Sequence, residues 1–461
     1  MNGNVSFNPT GAAGRTLTFD RIAVNMNGAN RTFDIGTGHT MLYTGANVVG
    51  TGLTLIKTGG GTFEHNAGSG MAFNVRVDDG QYRFGQANRL GGSATIESSG
   101  TLNLNGFSQT TAVPLILNGG ALTGGAGSFP TSAAGLTSTG GGDVTFTGAG
   151  FLTLGGTLTY NSGAPNKTLT FTGGELRLGT ATREFTVANG SQAIDVDVAA
   201  TVTGSVGFTK TGLGVMRLGG ANTYTGATTV NAGNLEIASG GSINSSSGIT
   251  VGAGGSLFYN SSTALTKAPT LNGSGGSRAR LGGGGTVNTA VILNSLDDVL
   301  SPGNSPGILT FGASQTWDSY TYEWEVNNWT GTNPGTNYDR IAITGGLNLS
   351  LTGTYALDIL SLTGANVSGN VPNFSDTNQS WTILTTTGGI TGFSASNWTL
   401  NPAGFTNPST GSWSISKVGN DLQLNYEVII VPEPSTFAML GLAGIAMAGA
   451  LARRNRGTRE S

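Results

Sequence analysis

Apolar residues along most of this chain stand two apart in short runs. Val215-Met216-Arg217-Leu218, Leu235-Glu236-Ile237 and Leu176-Arg177-Leu178 all alternate apolar with polar, which is the period of a half-buried strand. A helical period is absent before residue 437. Runs of three to five strand-like residues separated by Gly, Asn, Ser or Thr turns, with no helix available for crossovers, predict an all-β solenoid whose coils stack at about 4.8 Å. The expected architecture is a right-handed parallel β-helix.

Internal repeats give that expectation a register. Lys57-Thr58-Gly59-Gly60-Gly61 and Lys210-Thr211-Gly212-Leu213-Gly214 match, and each is followed at the same distance by a glycine, Gly80 and Gly233, with Val77 matching Val230. A third copy aligns Thr147-Gly148-Ala149-Gly150 with Thr211 to Gly214 and Thr159-Tyr160 with Thr223-Tyr224. It then carries an insertion, as a loop between strands would. The block Gly219-Gly220-Ala221-Asn222-Thr223-Tyr224-Thr225-Gly226-Ala227-Thr228-Thr229-Val230, within 208–237, resembles the autotransporter-associated β-strand repeat. The resemblance implies an extracellular, passenger-like β-helix. No terminal set of long amphipathic strands for an outer-membrane barrel accompanies it.

The pattern changes near residue 300. Ser301-Pro302-Gly303-Asn304-Ser305-Pro306-Gly307 reads as a double turn, and Trp317, Tyr320, Tyr322, Trp324 and Trp329 follow. Residues 1–300 are expected to form the β-helix. Residues 301–427 are expected to form an aromatic-rich C-terminal β region, either a cap on the open solenoid edge or a small β-sandwich, with Tyr338 to Ile343 and Trp381 to Leu384 as strands.

Composition supports turn-rich β structure. The 461 residues include 79 glycines without a Gly-X-Y period and only 13 prolines, and 10% are charged. With no cysteine, disulfides, thiolate zinc sites and thiol nucleophiles are excluded together. The net charge of −3 includes a basic tail, so the body is mildly acidic and lacks the stripe that nucleic acid needs.

The last 34 residues, 428–461, behave differently. Val431-Pro432-Glu433-Pro434-Ser435 precedes the uncharged apolar run 437–452, and Arg453, Arg454 and Arg456 follow at once. A helix of that length spans about 24 Å, short of the roughly 30 Å hydrocarbon core, and the arginines mark its cytoplasmic end. One C-terminal transmembrane-type helix of marginal length is therefore expected, with the body on the far side of the membrane. The two prolines keep the preceding segment extended, as a processing enzyme requires. This tail resembles the PEP-CTERM sorting signal of Gram-negative bacteria. The resemblance implies recognition by an exosortase, cleavage near Pro432-Glu433-Pro434, an inner-membrane-anchored precursor and a final place at the cell surface or in an extracellular matrix, with exopolysaccharide as a potential partner. Met1-Asn2-Gly3-Asn4-Val5 shows no export signal, so the start is expected to be truncated, trimmed or mis-assigned.

Little catalytic chemistry is available. His39 and His65 are the two histidines, read as exposed loop residues. Asp78-Asp79 and Asp297-Asp298 are adjacent carboxylate pairs that read as turn chemistry, and neither a calcium nonapeptide nor a phosphate loop is present. No metal and no cofactor are expected. Tyr320, Tyr322 and Trp324 fall on one strand face, giving either a sugar-stacking platform or a hydrophobic cap, with the cap favoured. The expected function is that of a non-catalytic structural or adhesive surface protein. The alternative is a carbohydrate-binding protein or a polysaccharide lyase or hydrolase, which would gather carboxylates or basic residues in one groove when coils are stacked.

Overall fold

The computed structural model describes residues 3–21, 24–45, 48–66, 72–428 and the pair 447–448. Apart from that pair, the Pro-Glu-Pro segment, the expected helix 437–452 and Arg453, Arg454 and Arg456 lie outside the described residues. Among the described residues, no helix is long and apolar enough to cross a membrane.

The chain winds into a β-solenoid of the right-handed type with about 14 turns and almost no helix. One short 3-10 turn, Ala395–Asn397, is described. Each coil lays its strands parallel to those of the next. On one face Phe208–Thr211 pairs with Thr228–Val230, then with Ile249–Gly252 and Pro269–Asn272. On a second face Val215–Leu218 pairs with Gly233–Ile237, Gly255–Tyr259 and Ala279–Gly283. A third side carries shorter pairings, such as Phe151–Thr153 with Glu175–Arg177.

The two-residue period converts directly into the core. Val215–Leu218 alternates half-buried with buried positions, and Met216 registers with Leu235, Leu257, Leu281, Leu300, Tyr322 and Leu357 in one continuous inner column. Every member of that column is fully buried. Each large apolar side chain so removed from water contributes about 1.5–3 kcal/mol.

The repeats are explained by a buried lysine at the corner between two faces. Lys210 Nζ donates to the carbonyls of Thr211 (3.4 Å), Gly212 (3.0 Å) and, one coil on, Ala232 (2.9 Å). Lys57 repeats the arrangement with Thr58, Gly59 and Asp79. Burial lowers both ammonium pKa values to about 8. Gly233 forms the next coil's corner at φ +62°, where a Cβ would stand 2.5 Å from the Gly212 carbonyl. Phe146 occupies the lysine position of the third copy.

Beyond residue 300 the sheets continue without a break. Asn294–Pro302 pairs with Ala279–Gly283 on one side and with Ser319–Val326 on the other. The coils lengthen, however, so that Tyr322 registers with Leu357 and Leu357 with Leu400. The wider interior is filled by aromatics: the Trp329 ring centroid lies 4.7 Å from Phe374, 4.9 Å from Trp381 and 5.1 Å from Tyr426. At the C-terminal end parallel winding stops, because Asp421–Glu427 runs antiparallel to both Gln379–Thr386 and Ser412–Val418.

The expectation for the two histidines needs correction. His39 and His65 are not exposed loop residues. Both are buried, and His65 Nδ1 lies 2.6 Å from Tyr82 Oη among the rings of Tyr43, Phe63 and Phe73. His39 does lie in the turn between Arg31–Ile35 and Thr40–Tyr43, but with its side chain buried, whereas His65 ends the strand Thr62–His65 at an inward position of its alternation.

Candidate functional site

Tyr320, Tyr322 and Trp324 share one face of the strand Ser319–Val326, and that face is the interior. All three are 0% exposed, with Tyr322 Oη donating to the Ile383 carbonyl (3.0 Å) and Trp324 Nε1 to the Asp339 carbonyl (2.9 Å). No ring face among them is open to a sugar, which corrects the platform expectation. The same alternation turns Glu323 and Glu325 to the opposite face of the strand, where Glu323 is still buried and Glu325 half-buried.

Those two carboxylates help to line a groove of about 460 Å³ on the outer surface of the second face. Its floor is contributed one coil at a time by Asn234 and Glu236, Phe258, Arg280, Ser301, and Glu323 with Glu325. Ala193 and Ile194 form one rim, and the turn Gly303-Asn304-Ser305 another. Phe258 is the half-buried outward position of Gly255–Tyr259. Its ring leans over Gly282 of the following coil, where a Cβ would come within 2.8 Å of Cε1 and 2.9 Å of Cδ1. Glycine at 282 lets the ring lie along the floor.

Two arginines hold one of the carboxylates. Arg280 Nε and Nη2 donate to Glu323 at 3.0 and 2.7 Å, and Arg278 bridges Glu323 (2.7 Å) and Asp358 (2.6 Å). Glu236 accepts a hydrogen bond from Asn260 at 3.2 Å. Burial and then the neighbouring charge of Glu323 push the Glu325 carboxyl up to about 7. Behind it Asp339 is fully buried and its pKa is raised well above the usual carboxylate range, chiefly by burial. Its oxygens accept from the Gly307 and Glu325 amides at 2.7 and 2.9 Å.

The groove therefore combines an apolar ring, an amide, hydroxyls and carboxyl groups. Among the described residues, no group of three or more His, Cys, Asp or Glu side chains is placed to hold a metal ion. Three of the four paired aspartates serve the backbone, whereas Asp78 accepts from Arg76 Nε at 2.6 Å. Asp79 Oδ1 accepts from the Gly80 amide, Asp298 from Gly273 and Asn294, and Asp297 from Gly276. Elsewhere the outer surface is laddered with hydroxyls, Thr145 to Thr172 (2.9 Å) and Thr186 to Thr211 (3.2 Å).

Sequence reasoning did not find Phe258, Arg278, Arg280, Glu323 or Glu325. Each is unremarkable alone, and only coil register brings them together. The usable signal was the outward half of the Tyr320-Thr321-Tyr322-Glu323-Trp324-Glu325 alternation.

Comparison with known proteins bears on both the body and the tail. Residues 208–237 match the Passenger-associated-transport-repeat, and residues 431–456 match the PEP-CTERM protein-sorting motif. Over 159 residues, 32% of the chain, it is 31% identical to an adhesin, the BmaC autotransporter of Brucella suis biovar 1 (strain 1330). The chain spans 4% of that relative's length. It thus carries a PEP-CTERM sorting motif together with a passenger-associated repeat on a β-solenoid body.

Proposed function

We propose that this chain is an exported structural or adhesive protein of the cell surface or extracellular matrix. It works without catalysis through the long outer faces of its solenoid. The observation that carries the reading is the joining, in one chain, of a passenger-type solenoid repeat at 208–237 with a sorting motif at 431–456. Val431, Pro432, Glu433, Pro434 and Ser435 are the segment presented to an exosortase. The apolar stretch 437–452 and Arg453, Arg454 and Arg456 hold the precursor at the inner membrane until processing. Residues 301–427 serve as the solenoid's cap, a role supported by the antiparallel hairpin and the ring cluster around Trp329. Deleting Pro432 to Ser461 tests the sorting half: the protein is expected to disappear from the surface fraction, and unchanged surface display contradicts it.

A second reading, a carbohydrate-active enzyme, is favoured by one observation. Carboxylates and arginines do meet in a groove, with Glu323 paired to Arg280 and the Glu325 carboxyl raised to about 7, the poise of a general acid. Under this reading the purified protein cleaves polysaccharide, and Glu325→Gln abolishes the cleavage while leaving the thermal midpoint in place. Absence of any new reducing ends from neutral and acidic polysaccharides removes it.

A further inference from the structure

The groove across Asn234, Glu236, Phe258, Arg280, Glu323 and Glu325 is formed by residues of the body, outside the sorting motif at 431–456. Its volume of about 460 Å³ is within the range that ligand sites occupy, roughly 300–1,000 Å³. Its floor follows the stacking direction, since Glu236, Phe258, Gly282 and Ser301 are register partners on successive coils about 4.8 Å apart. A ligand lying in it is therefore extended along the solenoid axis.

The chemistry of the lining narrows the ligand. Phe258 offers a ring face that Gly282 allows to lie flat, which suits an apolar C–H face of comparable width. Around the ring are oxygen-rich groups that accept hydrogen bonds: Glu236, Glu323, Glu325, the Asn234 carbonyl oxygen and the hydroxyls of Ser301 and Ser305. Arg280 is the cation of the lining, and its guanidinium is already committed to Glu323. An anionic ligand would meet three carboxyl groups and no free positive charge. A ligand with many hydroxyl donors and apolar ring faces meets a partner at each step.

We propose that this groove binds a neutral polysaccharide chain, with one sugar ring stacked on Phe258 and its hydroxyls donating to Glu236, Glu325 and Asn234. The proposal names the ligand class of the adhesive reading and rests on that reading for where the ligand is met. The site itself is defined by residues of the body alone.

Isothermal titration of the full-length protein, in mild detergent, with cellohexaose, maltohexaose, mannohexaose and hexagalacturonate tests it. At least one neutral hexasaccharide is expected to bind and hexagalacturonate not to bind. Phe258→Leu, which keeps apolar bulk but removes the platform, is expected to weaken binding at least fivefold, and Phe258→Trp to preserve it. Both variants are checked for an unchanged thermal midpoint. Stronger binding of hexagalacturonate, binding of none of the four, or equal affinity in Phe258→Leu overturns the proposal. Attachment of cells lacking the protein is measured in parallel. Lost attachment with no sugar binding rejects the groove and leaves the adhesive reading standing, whereas sugar binding with normal attachment supports the groove and counts against adhesion.

Discussion

Lys57 and Lys210 are charged residues in a chain with few charges, and both are placed where no water reaches them. Each ammonium is held by three carbonyls, two from its own coil's turn and one from the next. Replacing Lys210 with methionine keeps much of the volume and leaves the carbonyls of Thr211, Gly212 and Ala232 without that donor. Stability is expected to fall by about 2 kcal/mol or more, read as a lower urea midpoint. The lowered pKa gives a second test. Between about 8 and 10.5 the unfolded lysines bind more protons than the folded ones, so the contribution to stability rises with pH through that window. Buried tyrosines such as Tyr224, with raised values, act oppositely once pH passes 10. The urea midpoint should therefore climb from pH 8 to pH 10, and the climb should flatten in the Lys57→Met, Lys210→Met double variant. A wild-type midpoint that falls over the same interval contradicts this account. The lysines were visible in the sequence only as repeated letters. That their function is to fasten corners follows from register, which a single copy does not reveal.

At the scale of strands and coils, the two-residue period was legible because the inner positions are mostly apolar, Val, Leu, Ile and Phe with Met and Tyr among them, as at Met216 and Tyr322. Leu235→Ala removes one rung of the inner column and is expected to cost about 2–5 kcal/mol, measured by chemical denaturation. A loss below 1 kcal/mol would mean that the column is not close-packed. The histidines were misread because glycine and asparagine flank them, and those residues mark corners of this fold as readily as loops. The aromatic strand Ser319–Val326 was read with the right alternation and two options for its face, and the structure turns the rings inward. Wider coils need larger side chains, and Trp317, Trp324 and Trp329 supply them. The terminal hairpin covers the edge of Gln379–Thr386, which would otherwise present unpaired amides and carbonyls. Ending the chain before Ser412 is expected to produce concentration-dependent association in light scattering. A truncated protein that stays monomeric and folded would refute the capping role.

Across the whole molecule, two short segments supply the address and the fold class, and the long body supplies a surface. The repeat at 208–237 and the motif at 431–456 were readable because their residue types and spacing are both constrained. The groove around Phe258 was not readable. Its residues, from Ile194 to Glu325, belong to successive coils, and their convergence depends on how many residues each turn consumes. The central claim is that the tail is an export handle removed from the finished protein, leaving the solenoid outside the cell. Mass spectrometry of the mature protein taken from the surface of its own cells tests this most directly. A C-terminal peptide ending close to Pro432-Glu433-Pro434 is the predicted result, and an intact peptide running through Arg453 to Ser461 would contradict it.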